Sequence, residues 1–115
     1  MKRIQLSRKK GWRMPENTAI VDRRTPFGNP FRVDGKISEC PYFTVMRAYL
    51  TAYEMRKDEI TPDISVRLFR AHLERYPGII TGAKKHLAGK NLACWCKIGD
   101  PCHADVWLEV LNPEQ

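Results

Sequence analysis

Apolar and polar positions first alternate over residues 3–7, where Ile4 and Leu6 are interleaved with Arg3, Gln5 and Ser7. That period of two predicts a short strand with one face inward. The β-branched run TAIVD, residues 18–22, predicts a second strand. Between the two, residues 8–17 have no sustained periodicity and contain Gly11, Pro15 and Asn17, so they read as a loop carrying Trp12 and Arg13. From residue 41 to residue 57 the spacing changes to that of a helix, with Tyr42, Met46, Tyr49, Leu50 and Tyr53 on one face and the tyrosines expected in the core. Residues 66–76 predict another helix, with Leu68, Phe69, Leu73 and Tyr76 inward and Pro77 and Gly78 ending it. A short helix over residues 81–87, closed by Gly89, leads to a final pair of elements. Residues 91–96, NLACWC, form an apolar run typical of a buried strand. Asp100 and Pro101 then look like the cap and first position of a helix carrying Ala104, Val106, Trp107, Leu108, Val110 and Leu111.

Strands at both ends with helices between them predict a small α/β sheet flanked by helices, in one domain spanning residues 1–115. The connection over residues 7–17 is short for a parallel crossover, which takes about a dozen residues or more, so an antiparallel first pair is the alternative. Hydrophobic residues make up 43% of the 115, enough for a core without disulfides. No apolar run approaches the ~20 residues that span a bilayer, and MKRIQLSRKK lacks the apolar centre of a secretory signal. A cytoplasmic protein with no membrane partner and reduced cysteines is the expectation.

The formal charge is +7 and is concentrated near the start. In residues 1–24 the cations Lys2, Arg3, Arg8, Lys9, Lys10, Arg13, Arg23 and Arg24 outnumber Glu16 and Asp22 by six. Such a segment suits a polyanion or a phosphorylated small molecule. The loop RRTPFGNPF, residues 23–31, adds two prolines, a Gly-Asn pair and two aromatic rings. It reads either as a stiff grip for a ring and a phosphate, using Arg24, Phe27, Gly28, Asn29 and Pro30, or as a packed turn.

Three cysteines and a histidine crowd the segment from Cys94 to His103, at the junction of the last strand and helix. Zinc is the first chemistry to weigh. Cys-x-Cys is tighter than ordinary ligand pairs, two strand residues rise about 7 Å, and adjacent helical residues diverge by about 100°. These spacings argue against a metal, and no cofactor is expected. Cys102 beside His103 at a helix start also has the setting of an activated nucleophile, with Cys96 a second candidate and Asp105 placed to orient the imidazole. Small packing residues at a tight junction are the bland alternative. A third reading has Cys96, Cys102, His103 and the helix N-terminus lining a pocket with the 23–31 loop and the N-terminal arginines. His72 and His86 are expected to be structural or exposed.

The segments RIQLSRKKGWRMPENT, TPFGNPF and GKNLACWCKIGDPCHAD together resemble a family of small bacterial and phage proteins, domain of unknown function 4326. The resemblance implies a Rossmann-like α/β domain. It assigns Ser7, Arg13, Pro15, Arg24, Gly28, Asn29, Pro30, Cys94, Cys96, Cys102, His103 and Asp105 to the family's motifs, and it implies no activity. The leading expectation is therefore a binder of a nucleotide or nucleotide-derived molecule. Its candidate ligand-binding residues are Ser7, Arg13, Arg24, Phe27, Gly28, Asn29, Pro30, Cys96, Cys102 and His103. The alternatives are a nucleic-acid-binding protein using the basic segment and a cysteine-dependent hydrolase or transferase.

Overall fold

The computed structural model describes residues 1–39 and 47–111. Three strands, β1 (Arg3–Gln5), β2 (Thr18–Ile20) and β3 (Asn91–Cys94), form one sheet in the order β1-β3-β2. Both outer strands run parallel to β3, with Ile4 and Ile20 each opposite Ala93. The mixed α/β class predicted from the sequence is thus present. The antiparallel alternative for the first two strands is not, because they do not pair with each other. Residues 6–17 step over the position that β3 later fills. Leu92 and Ala93 are fully buried, as expected of a strand flanked on both edges and covered on its faces.

Among the described residues four α-helices accompany the sheet: α1 (Ala52–Lys57), α2 (Pro62–Arg75), α3 (Gly78–Leu87) and α4 (His103–Leu111). Short 3-10 turns lie at Ile37–Glu39 and Arg47–Tyr49. The continuous helix expected over 41–57 is corrected within its described part. The chain breaks at Leu50, and Thr51 starts α1 afresh through a reciprocal capping box with Glu54. Tyr49 and Tyr53 are exposed, not core, whereas Tyr42 and Met46 lie outside the described residues.

The next helix begins four residues earlier than expected. Thr61 accepts the Ile64 amide at 3.2 Å and Pro62 occupies the first turn, where its missing N–H leaves nothing unpaired. The helix of 81–87 likewise extends back to Gly78. By contrast, the last one starts later, at His103, which leaves Asp100 and Pro101 in the preceding turn and removes the expected cap.

The core joins Val21, Phe31, Leu68, Leu73, Leu87, Leu92, Val106 and Trp107 in one cluster. Helix α4 contributes the largest buried side chain, Trp107. Trp107 meets Phe69 edge-on at 5.6 Å and Phe27 at 6.2 Å, and its indole N–H donates to the Phe27 carbonyl at 2.9 Å. That buried pairing satisfies the one polar atom of the ring and pins the 23–31 loop to α4. His86 is exposed and packs its ring 6.1 Å from Phe27, in keeping with a surface histidine.

Candidate functional site at the carboxyl edge of the sheet

Because all three strands are parallel, their carboxyl ends open on the same edge. There the chain continues into Arg8 after β1, into Asp22, Arg23 and Arg24 after β2, and into Trp95 and Cys96 after β3. Two helices start at this edge as well, presenting Pro62, Ser65 and Val66 from the first turns of α2 and Cys102 and His103 from the start of α4. Together with Asn29 and Val33 these residues enclose a cleft of about 430 Å³. Parallel α/β sheets hold ligands at this edge, where strand ends leave room between loops and helix amides point outward.

Asp22 organises one wall. Its carboxylate accepts the Arg24 amide at 2.9 Å, the Arg24 Nε–H at 2.8 Å and the Trp95 indole N–H at 3.1 Å. Burial works to raise the Asp22 pKa, but the Arg24 bonds and charge and the indole bond outweigh it and hold the group below its ordinary value. The indole is thereby fixed between the ends of β2 and β3 while remaining 40% exposed. The Arg8 guanidinium stacks on that ring, 4.7 Å from its centre.

The geometry of the 23–31 loop comes from packing inside the protein. Asn29 donates to the Ser65 hydroxyl at 2.8 Å and accepts the Phe31 amide at 2.9 Å, and Ser65 donates in turn to the Phe31 carbonyl. Phe31 is fully buried. At Gly28 an added Cβ would lie 2.6 Å from both the Arg23 Cα and the Asp22 carbonyl oxygen, so only glycine lets the loop fold this closely on itself.

The cysteines converge more closely than their sequence spacing suggests. Cys94 ends β3, so Cys96 lies beyond it on a bend and is freed from strand geometry; the two sulfurs are 3.9 Å apart, not the ~7 Å of a strand repeat. Cys102 precedes α4 instead of belonging to it, which removes the helical angle between it and His103. The Sγ atoms of Cys94, Cys96 and Cys102 all lie within 4.8 Å of one another, and all three side chains line the cleft. These three are free thiols. Hydrogen bonds from Cys102 and Cys96 strongly favour a thiolate at Cys94, while Cys94, Cys96 and burial push the Cys102 thiol up.

His103 is held from one side, its Nε2–H donating to the Val21 carbonyl. That bond selects the tautomer whose Nδ1 is unprotonated, and Nδ1 is 3.9 Å from the Cys102 sulfur. Arg3 lies behind the cluster with its side chain only 7% exposed, 3.7 Å from Asp105 and donating to the Lys97 carbonyl. Burial opposes its charge, and the Cys102 sulfur and Asp105 more than restore it.

Of the residues singled out from the sequence, Arg24, Asn29, Cys96, Cys102 and His103 come together around the cleft. Gly28 and Pro30 line a neighbouring hollow of about 240 Å³ with Arg23 and Arg32. Ser7, Arg13 and Phe27 line neither: Ser7 accepts the Lys9 amide at 3.0 Å, Arg13 is exposed and Phe27 packs on Trp107. Asp22, Trp95 and Ser65 were not anticipated. The Asp-Arg-Arg run directly after a strand and the tryptophan between two cysteines were the available signals.

The chain belongs to the family described as Domain of unknown function (DUF4326), whose sequence profile matches residues 4–113. No curated protein and no solved structure matches it significantly.

Proposed function

We propose that this member of the DUF4326 family binds a nucleotide or nucleotide-derived small molecule in the cleft at the carboxyl edge of its sheet. The observation that carries the proposal is the Arg8-Trp95-Asp22 wall: a fixed, half-exposed indole beside arginines, facing a helix start across about 430 Å³. An aromatic face holds a planar base, and guanidinium groups with helix amides hold phosphate. The volume falls within the range of ordinary small-molecule sites. The protein would work in the reducing cytoplasm, in keeping with its three free described thiols.

Thermal unfolding against a panel of nucleotides, dinucleotides and ADP-ribose-like compounds tests the proposal, since a ligand selective for the native state raises the midpoint with concentration. At least one compound should stabilise the wild type, and Trp95→Ala should lose that response. A panel with no response in the wild type would remove the proposal's support.

A second reading is binding of nucleic acid across the same end of the molecule. Exposure of Lys9, Lys10, Trp12 and Arg13 on the 6–17 loop favours it. Affinity for single-stranded oligonucleotides that falls steeply with added salt supports this reading, and no binding near physiological salt rejects it.

A further inference from the structure

We infer that Cys94, Cys96 and Cys102 form a site for one thiophilic divalent metal ion of the zinc class, with its fourth coordination position open to the cleft. The inference stands apart from the nucleotide reading, because it needs only the three sulfurs and their surroundings. Tetrahedral zinc with Zn–S bonds near 2.3 Å places its sulfurs about 3.8 Å apart. The Cys94 and Cys96 sulfurs are already 3.9 Å apart, and no pair in the trio exceeds 4.8 Å. Closing the widest pair requires a movement of about 1 Å or less, well within side-chain rotation.

The surroundings fit a metal thiolate better than three packed thiols. Binding releases the thiol protons to solvent and leaves three thiolates around a divalent ion, a net charge of minus one. The buried Arg3 guanidinium beside Cys102 supplies the compensating charge. Cys94 and Cys102 are buried, which shields the bonds, whereas Cys96 is half-buried on the cleft side. Among the described residues no fourth side chain joins the group within the same distance. All three cysteines line the cleft, so the remaining position falls to water or to a donor atom of a bound molecule. Three protein ligands with an open fourth place is the arrangement of reactive metal sites, in contrast to closed structural ones.

The test uses the full chain, purified under reducing conditions without chelator. Native mass spectrometry should show one zinc per chain. Replacement by cobalt should give a strong sulfur-to-cobalt charge-transfer band, whose intensity reports about three thiolate ligands without any substitution. Cys96→Ser, at the least buried of the three positions, should weaken cobalt binding by at least about tenfold and reduce the band by a third while circular dichroism stays unchanged. A metal-free chain that shows no charge-transfer band with cobalt would overturn the inference. So would a mass lower by two hydrogens, marking a disulfide, or undiminished cobalt binding in Cys96→Ser.

Discussion

The Asp22 carboxylate accepts the Trp95 indole N–H at 3.1 Å, a bond between residues 73 positions apart that ties the end of β2 to the end of β3. It makes the exposed ring part of the sheet's edge. Asp22→Asn presents an amide N–H₂ group where two N–H donors now converge, and should cost about 1–3 kcal/mol in urea unfolding at pH 7. The pH dependence follows from the lowered folded-state pKa of Asp22. Its contribution is complete above the ordinary value of 3.8 and is lost as pH falls through the lower folded-state value. The difference between wild type and Asp22→Asn should therefore shrink in acid, below about pH 4. A difference that stays constant down to the acid transition would show that the Asp22 charge is not responsible.

Gly28→Ala tests the loop through a different term. The new methyl would meet backbone atoms of Asp22 and Arg23 at 2.6 Å, and backbone has little freedom to move away. Overpacking of this kind costs about 1–3 kcal/mol. Any displacement passes directly to Asp22 and so to the cleft wall. Stability and Trp95 fluorescence should change together; an unperturbed emission spectrum in a destabilised variant would separate the loop from the wall.

Much of this architecture was legible in the sequence because short-range rules decide it. Alternation at Ile4 and Leu6, the TAIVD run and the NLAC run gave all three strands, and the PCHAD segment gave the last helix to within a few residues. The strand order was not legible, since β1 and β2 each pair with a strand that arrives more than 70 residues later. The tyrosine spacing around residue 50 also misled. Helical periodicity says which residues share a face, but the capping box at Thr51 decides where the helix begins, and the exposed Tyr53 lies on a one-and-a-half-turn helix with little to cover it. At the site, spacing correctly brought Cys96, Cys102 and His103 to one junction. It misjudged the sulfur distances because ideal strand and helix geometry was applied across the two places where those elements stop.

Asn29 and Ser65 offer a direct measure of coupling between the 23–31 loop and α2. Each single alanine substitution removes the 2.8 Å side-chain bond together with the bond that the lost side chain makes to the Phe31 backbone, at about 1–3 kcal/mol. Removing both leaves less unpaired, so the double variant should be destabilised by less than the sum of the singles, with a coupling energy of about 0.5–3 kcal/mol by equilibrium denaturation. Strict additivity would mean that the Asn29–Ser65 side-chain bond adds nothing to the bonds that each makes with the Phe31 backbone.

His72 predicts a separate pH effect nearer neutrality. It is buried, 5.8 Å from the Phe31 ring and 5.4 Å from the Tyr76 ring, and burial lowers its pKa below 6.5. In the unfolded chain it takes up a proton first as pH falls, so stability present above about pH 6.5 declines between that value and the lower folded-state pKa. His72→Gln should flatten the wild-type profile in this window even if it lowers stability throughout. An unchanged slope from pH 7 to pH 5 would assign the dependence to another group.

His103 divides between two roles that substitution can separate. Its Nε2–H donates to the carbonyl of the fully buried Val21, while Nδ1 is directed toward Cys102. Glutamine carries an amide N–H at a reach similar to Nε2 and lacks an acceptor at the Nδ1 position; leucine supplies neither. If the bond to Val21 is what holds the α4 start against β2, His103→Gln should retain more stability than His103→Leu, by about 1–3 kcal/mol for the carbonyl left unpaired. Both variants should alter the reaction of Cys96 and Cys102 with a thiol reagent to a similar degree, because both remove Nδ1. Equal stability of the two would show that the ring's packing against Phe69, 5.4 Å away, and not the Val21 bond, fixes the junction on which the three cysteines converge.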